Sequence, residues 1–145
     1  MATVKGVNRT VADAVTAAHV LDPGLFGGNV KVQLDTYEAA AIASGTVIEV
    51  GGDLPKGARV INVMLVNDAL GASVTLDVGD EEDPNRYISA YDGSAAGVKW
   101  GDLADGIEYA VDDTVPTTPD SQVLVTTGGA TATGTIKVAI FYTHE

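Results

Sequence analysis

The chain is 145 residues long, the length of one domain, and carries 20 Asp and Glu against 8 Lys and Arg, a net charge of −12. It has no cysteine, which excludes disulfides, zinc–thiolate sites and thiol nucleophiles, and its two histidines, His19 and His144, are too few for a polyhistidine metal site. The acidic balance argues against nucleic acid and against an anionic membrane surface as partners, because no basic surface is on hand to displace their counterions.

Residues 1–28 differ from the rest. Val4, Val7, Val11, Val15 and Val20 are scattered among Thr, Ala, Asn and Arg without strict alternation, Leu21-Asp22-Pro23-Gly24 is a stop signal, and Gly27-Gly28 is a joint. This segment reads either as a first edge strand with a loop or, the sharper reading, as an N-terminal arm that leaves the domain and packs on something else. Its apolar anchors, Val4, Val7, Val11, Leu21, Leu25 and Phe26, are the candidate contacts to another protein or a neighbouring subunit. A β domain over 29–145 follows. Val30, Val32 and Leu34 alternate with Lys31, Gln33 and Asp35, the period of a half-buried strand. An Ala-rich link leads to a strand over 46–50. Arg59 to Val66 is apolar at nearly every position and reads as a central strand covered on both faces. Val74, Leu76 and Val78 share one face of the next strand. Short strands are expected over 86–90, 97–100 and 107–111, then over 123–127. The last runs over 135–142, with Ile136, Val138, Ile140 and Tyr142 on one side. The segments 86–90 and 135–142 read as edge strands that an oligomer would cover.

Gly51 to Gly57, Asn67 to Gly71, Gly79 to Asn85 and Gly128 to Gly134 supply the turns. Eight or nine strands at such spacing, with no long helical period between them, predict an all-β fold: an antiparallel β-sandwich or jelly roll preceded by an extended arm. The acidic turn Asp77, Asp80, Glu81, Glu82, Asp83 is the best calcium candidate, but its spacing does not fit an EF-hand, the nonapeptide calcium repeat is absent, and a solvated turn is the expectation. No serine sits in a nucleophile elbow, and no phosphate-binding glycine loop is present. Glu49, Glu108 and Asp112 are strand positions and no convincing glycosidase pair, while Trp100, Tyr87, Tyr91 and Tyr109 are the only aromatic platforms on offer for sugar. No catalytic residue, cofactor or metal is therefore expected. Residues 77–120 carry a net charge of −10 and residues 1–31 a net charge of +1, so the acid sits in the domain and the arm is nearly neutral.

Four runs carry a family likeness: Gly45-Thr-Val-Ile-Glu-Val-Gly-Gly-Asp-Leu-Pro-Lys-Gly-Ala-Arg-Val-Ile-Asn-Val63, Leu70-Gly-Ala-Ser-Val-Thr-Leu-Asp-Val-Gly-Asp80, Arg86-Tyr-Ile88, and Gly134-Thr-Ile-Lys-Val-Ala-Ile-Phe-Tyr142. From about Val30 to the C-terminus the chain resembles the small β-sandwich or jelly-roll proteins that decorate the heads of tailed bacteriophages, the cement or head-stabilising proteins. The resemblance implies a non-enzymatic virion protein, made in the bacterial host cytoplasm and bound to the outer surface of the capsid. It also implies two kinds of partner: the major capsid protein, and further copies of itself in a homotrimer, with a dimer as second choice. The shared patterns are strands and turns, so they transfer no individual functional residue. A tail-tube or head–tail connector protein is the nearest alternative, and a carbohydrate-binding β-sandwich module is the alternative from another class.

Overall fold

The computed structural model of the protein describes Val4, residues 28–101 and residues 122–144. Eight strands occupy them: β1 (Val30–Ile42), β2 (Val47–Val50), β3 (Arg59–Asn67), β4 (Thr75–Gly79), β5 (Ile88–Asp92), β6 (Gly97–Trp100), β7 (Val123–Gly128) and β8 (Ala132–Thr143). Among the described residues there is no helix, and so none long and apolar enough to cross a membrane. The strands form two four-stranded antiparallel sheets, β1-β8-β3-β6 (sheet A) and β2-β7-β4-β5 (sheet B).

The pairing follows one rule. β1 pairs with β8, β2 with β7, β3 with β6 and β4 with β5, the pattern of one long hairpin whose two arms are wrapped together. Two further ladders, β3 with β8 and β4 with β7, close each sheet. That is jelly-roll topology, two sheets with Greek-key connections packed face to face.

Alternation along the strands supplies the core between the sheets. Sheet A contributes Val60, Val63, Leu65, Ile136, Val138, Ile140 and Tyr142, and sheet B contributes Ile48, Val50, Leu76, Val78, Ile88, Val123 and Val125. One end is plugged by Leu70 and Val74 from the turn after β3. Asn67, itself buried, ties that end together: its side-chain amide donates to the carbonyls of Asp68 (2.7 Å) and Ala95 (2.9 Å), so the turns after β3 and β5 share one clamp.

Three expectations change. The Ala-rich link is largely strand: β1 continues to Ile42 through a bulge after Ala39, with Ala41 at φ 56°. The last strand is no edge, since β8 lies between β1 and β3 in sheet A. Its many apolar residues reflect that interior place, and β5 is the edge strand of the expected pair. Finally, β3 is covered on one face only. Val60, Val63 and Leu65 face the core, while Ile61, Met64 and Val66 point outward and are half-buried. The expected strand over 107–111 and the arm over 1–28, Val4 and Gly28 excepted, lie outside the described residues.

Candidate interaction surface

The two outer sheet faces differ in chemistry. On sheet B the outward positions include Glu49, Thr75, Asp77, Ser89 and Thr126, the ordinary solvated face of an antiparallel sheet, with Val47 as its exposed apolar exception. On sheet A most outward positions are apolar. Register places Leu34 of β1, Ala139 of β8, Met64 of β3 and Trp100 of β6 in one row across all four strands. The next row is Thr36, Lys137, Val66 and Val98. On the other side, Val32 and Asn62 flank Phe141. Directly opposed residues share a face, so these rows form one surface.

Exposure decides what this surface is. Leu34 keeps 74% of its area exposed, Val32 51%, Val98 57% and Trp100 46%. The Trp100 indole stacks on the Phe141 ring, centroids 5.4 Å apart and planes 26° off parallel, which stiffens that corner. Because Ala139 is small, the side chains of Leu34, Met64 and Val66 stand above it and leave a groove of about 240 Å³, with Lys137 exposed at its end. Its contiguity sets this face apart from isolated exposed apolar residues, which are common, and makes it the candidate contact surface.

The alternation read in β1 is correct in period, and its apolar side is the outer one. Gln33, Asp35, Tyr37 and Ala39 turn inward instead. The reason is local. β1 is an edge strand whose inner side overhangs the turn after β2, and the backbone N–H groups there need acceptors. Gly51 N–H donates to Asp35 Oδ2 (2.8 Å) and Gly52 N–H to Gln33 Oε1 (3.0 Å). Sequence reasoning missed the outer face for this reason. The signal available was the coincidence of Val30-x-Val32-x-Leu34 with the two-sided apolar run of β3.

The acidic turn is a closed structure. Asp80 Oδ1 accepts from the backbone N–H groups of Glu82 (3.0 Å) and Asp83 (2.9 Å), and its Oδ2 lies 2.6 Å from Arg86 Nε. Asp77 Oδ1 accepts from Ala90 N–H (2.6 Å). These carboxylates organise the turn, and among the described residues no group of three acidic or imidazole side chains is placed to hold a metal. The Arg86 guanidinium loses solvation in this turn, and Asp80 more than compensates, holding its proton above the ordinary range. Burial, then the charge of Asp80, pushes the neighbouring Tyr87 phenol well above its usual range. Tyr87 belongs to the core, Tyr91 packs against it and Trp100 lies on the outer face of sheet A, so these three form no shared sugar platform; Tyr109 lies outside the described residues. Glu49 stands alone on sheet B, with Glu108 and Asp112 outside the described residues. Of the predicted contact residues, Val4 is 90% exposed, and Val7, Val11, Leu21, Leu25 and Phe26 lie outside the described residues.

No protein-family model matches the chain, and no curated protein does. Solved structures do. A chain of the cyanophage Pam1 capsid asymmetric unit is 30% identical, with a TM-score of 0.67, over 92% of this chain and 96% of that one. The protein belongs to the family of that phage capsid chain. A chain of the capsid of Ralstonia phage GP4 shares the fold, with a TM-score of 0.61 and 24% identity over 81% of this chain and 86% of that one. Both matches span nearly the whole length of the chains compared, so the jelly roll of this phage capsid family member is its common body and no grafted fragment.

Proposed function

We propose that this protein is a structural component of a phage virion that binds the outer surface of the capsid and stabilises it, as a decoration or cement protein. The observation that carries the reading is the kinship, nearly end to end, with a chain of a phage capsid asymmetric unit. The physical features agree with it. Among the described residues the acidic turn is taken up by its own hydrogen bonds and ion pair, and the sandwich offers a solvated, acidic sheet on one side and a largely apolar sheet on the other. On this reading the domain spans 29–145 and assembles as a homotrimer. The arm over 1–28 supplies contacts through Val4, Val7, Val11, Leu21, Leu25 and Phe26, to the major capsid protein or to a neighbouring subunit.

The test uses shells assembled without this protein. Purified protein added to them should co-sediment at a fixed ratio to the major capsid protein, and the decorated shells should survive heat or osmotic shock that bursts bare ones. Electron microscopy of virions carrying a tagged copy should show the tag on the head exterior. A tag confined to the tail, or decoration without any gain in shell survival, overturns the reading.

A further inference from the structure

The outer face of sheet A is too small to be an interface by itself and too apolar to be left to water. Four strands about 4.8 Å apart and five residues at about 3.3 Å give roughly 300 Å² of sheet. A standard interface takes about 800 Å² from each partner, so two such faces laid together fall well short of a stable dimer. A single extended segment of six or seven residues, about 20 Å long, matches the face in length and fits one groove.

Two internal stretches of this chain lie outside the described residues, 5–27 and 102–121, and their compositions separate them. Residues 102–121 hold Asp102, Asp105, Glu108, Asp112, Asp113 and Asp120 with no Lys or Arg. Laying that stretch on an apolar sheet would strip water from unpaired carboxylates, which is costly. Residues 5–27 are balanced, Lys5 and Arg9 against Asp13 and Asp22. Their last part, Val20-Leu-Asp-Pro-Gly-Leu-Phe26, packs four large apolar side chains into seven residues around one carboxylate. That suits the groove, whose lining joins the apolar Leu34, Met64 and Val66 to Asp35, Thr36 and the exposed Lys137, a lysine whose charge also reaches Asp68.

We propose that residues 20–26 of a neighbouring copy lie across the outer face of sheet A, with Leu25 or Phe26 over Ala139 and Asp22 toward Lys137. This rests on the reading of the arm as a contact element and names its seat. A neighbour is the donor because the chain's own link is too short for comfort. From Phe26 to Val30 it reaches at most about 14 Å, whereas a seat over Ala139 lies four residues along β1, one strand across and one packed layer up from Val30, about 17 Å away in all. The neighbour's segment meets no such limit. The exchange ties copies together head to tail through one repeated contact, which closes into a ring under rotational symmetry.

The chain's composition makes the test clean, since it has no cysteine and a single tryptophan, Trp100, on the face itself. Full-length Leu25→Cys and Leu34→Cys chains, each singly substituted, are mixed without any shell present and mildly oxidised. A disulfide-linked heterodimer is expected, in yield that rises with protein concentration. In parallel, Trp100 emission should shift to the red, and acrylamide quenching should rise at least twofold, when residues 2–27 are deleted and far-UV circular dichroism shows the fold intact. If the truncated chain does not fold, Leu34→Asp in the full chain is the replacement, with the same expected shift. No heterodimer, or a link that forms only within a doubly substituted monomer, overturns the proposal, as does unchanged Trp100 emission. Because no capsid enters the experiment, its failure leaves the decoration reading standing, and failure of shell binding leaves this result standing.

Discussion

Two leucines make the division of sheet A into inner and outer faces measurable. Leu65 sits on β3, fully buried, with Val138 of β8 and Lys99 of β6 opposite it in the ladders. Leu34 sits on β1 and is 74% exposed. Truncating Leu65 to Ala removes about three buried carbon groups at about 0.8 kcal/mol each. A cavity then remains, because a strand paired on both sides cannot collapse inward, and the full cost comes to about 3–4 kcal/mol. For a chain of this size about 3 °C is lost per kcal/mol, so the melting temperature should fall by about 10 °C. Leu34→Ala forfeits only about a quarter of the transfer gain, about 0.6 kcal/mol, and the monomer should melt within about 2 °C of the parent. Urea unfolding at low micromolar concentration, followed by circular dichroism, gives both values. If another copy covers Leu34, its substitution should also flatten the dependence of melting temperature on protein concentration. Equal losses at the two positions, or a larger loss at Leu34, would refute the assignment of the faces.

Four further outcomes are expected. Arg86→Met should cost about 2 kcal/mol by leaving the Asp80 carboxylate unpaired in the turn, and adding Asp80→Asn should restore part of it, as a double-mutant cycle would measure. Tyr87, whose phenol is held protonated by burial and then by Asp80, favours the folded state at high pH only while it stays neutral. Stability should therefore fall as pH rises above about 10, and absorbance at 295 nm should show one tyrosine ionising only on unfolding. Gly129→Ala should destabilise by about 2 kcal/mol or more, since φ is 76° and a Cβ would meet the Ser73 carbonyl. Gly45→Ala, at φ 85° in open space, should cost only the strain of its backbone conformation, about 1 kcal/mol. Chelation by EDTA should leave the melting temperature unchanged; a fall restored by calcium would revive the acidic turn as a ligand site.

Particular strands show where the sequence speaks and where it stops. Ile136, Val138, Ile140 and Tyr142 were legible as one buried face, and Gly97 to Trp100 were legible to the residue, because a period of two on β-branched and aromatic residues leaves few other readings. The phase of β1 was not. Alternation says that one side is apolar and says nothing of which side meets the core, and here the polar side meets the turn after β2. The double apolar character of β3 was legible, but the sandwich covers one of its faces only, and the sequence does not say which. The order of strands was also hidden, since β8 becomes interior through pairing with segments far away in sequence. The acidic turn, by contrast, was read correctly as a turn; what the sequence withheld was the use of Asp80 by backbone N–H groups and Arg86.

The wrapped-hairpin pairing has a consequence for how the protein is made. Val30 of β1 lies opposite Thr143 of β8, so β1 and its one ladder partner among the described residues are separated by about 100 residues of chain. At about 5–20 residues per second of synthesis, β1 waits roughly 5–20 s, with Val30, Val32 and Leu34 in the open, before the strand that completes it leaves the ribosome. Among the described residues, β1–β8, β3–β8, β2–β7 and β4–β7 all join segments far apart in sequence, and only β3–β6 and β4–β5 are more local, which places folding in the slow, millisecond-to-second class of all-β domains. The charge of −12 then serves a second purpose: mutual repulsion keeps waiting chains apart during the interval in which an unpaired apolar strand would otherwise find the wrong neighbour.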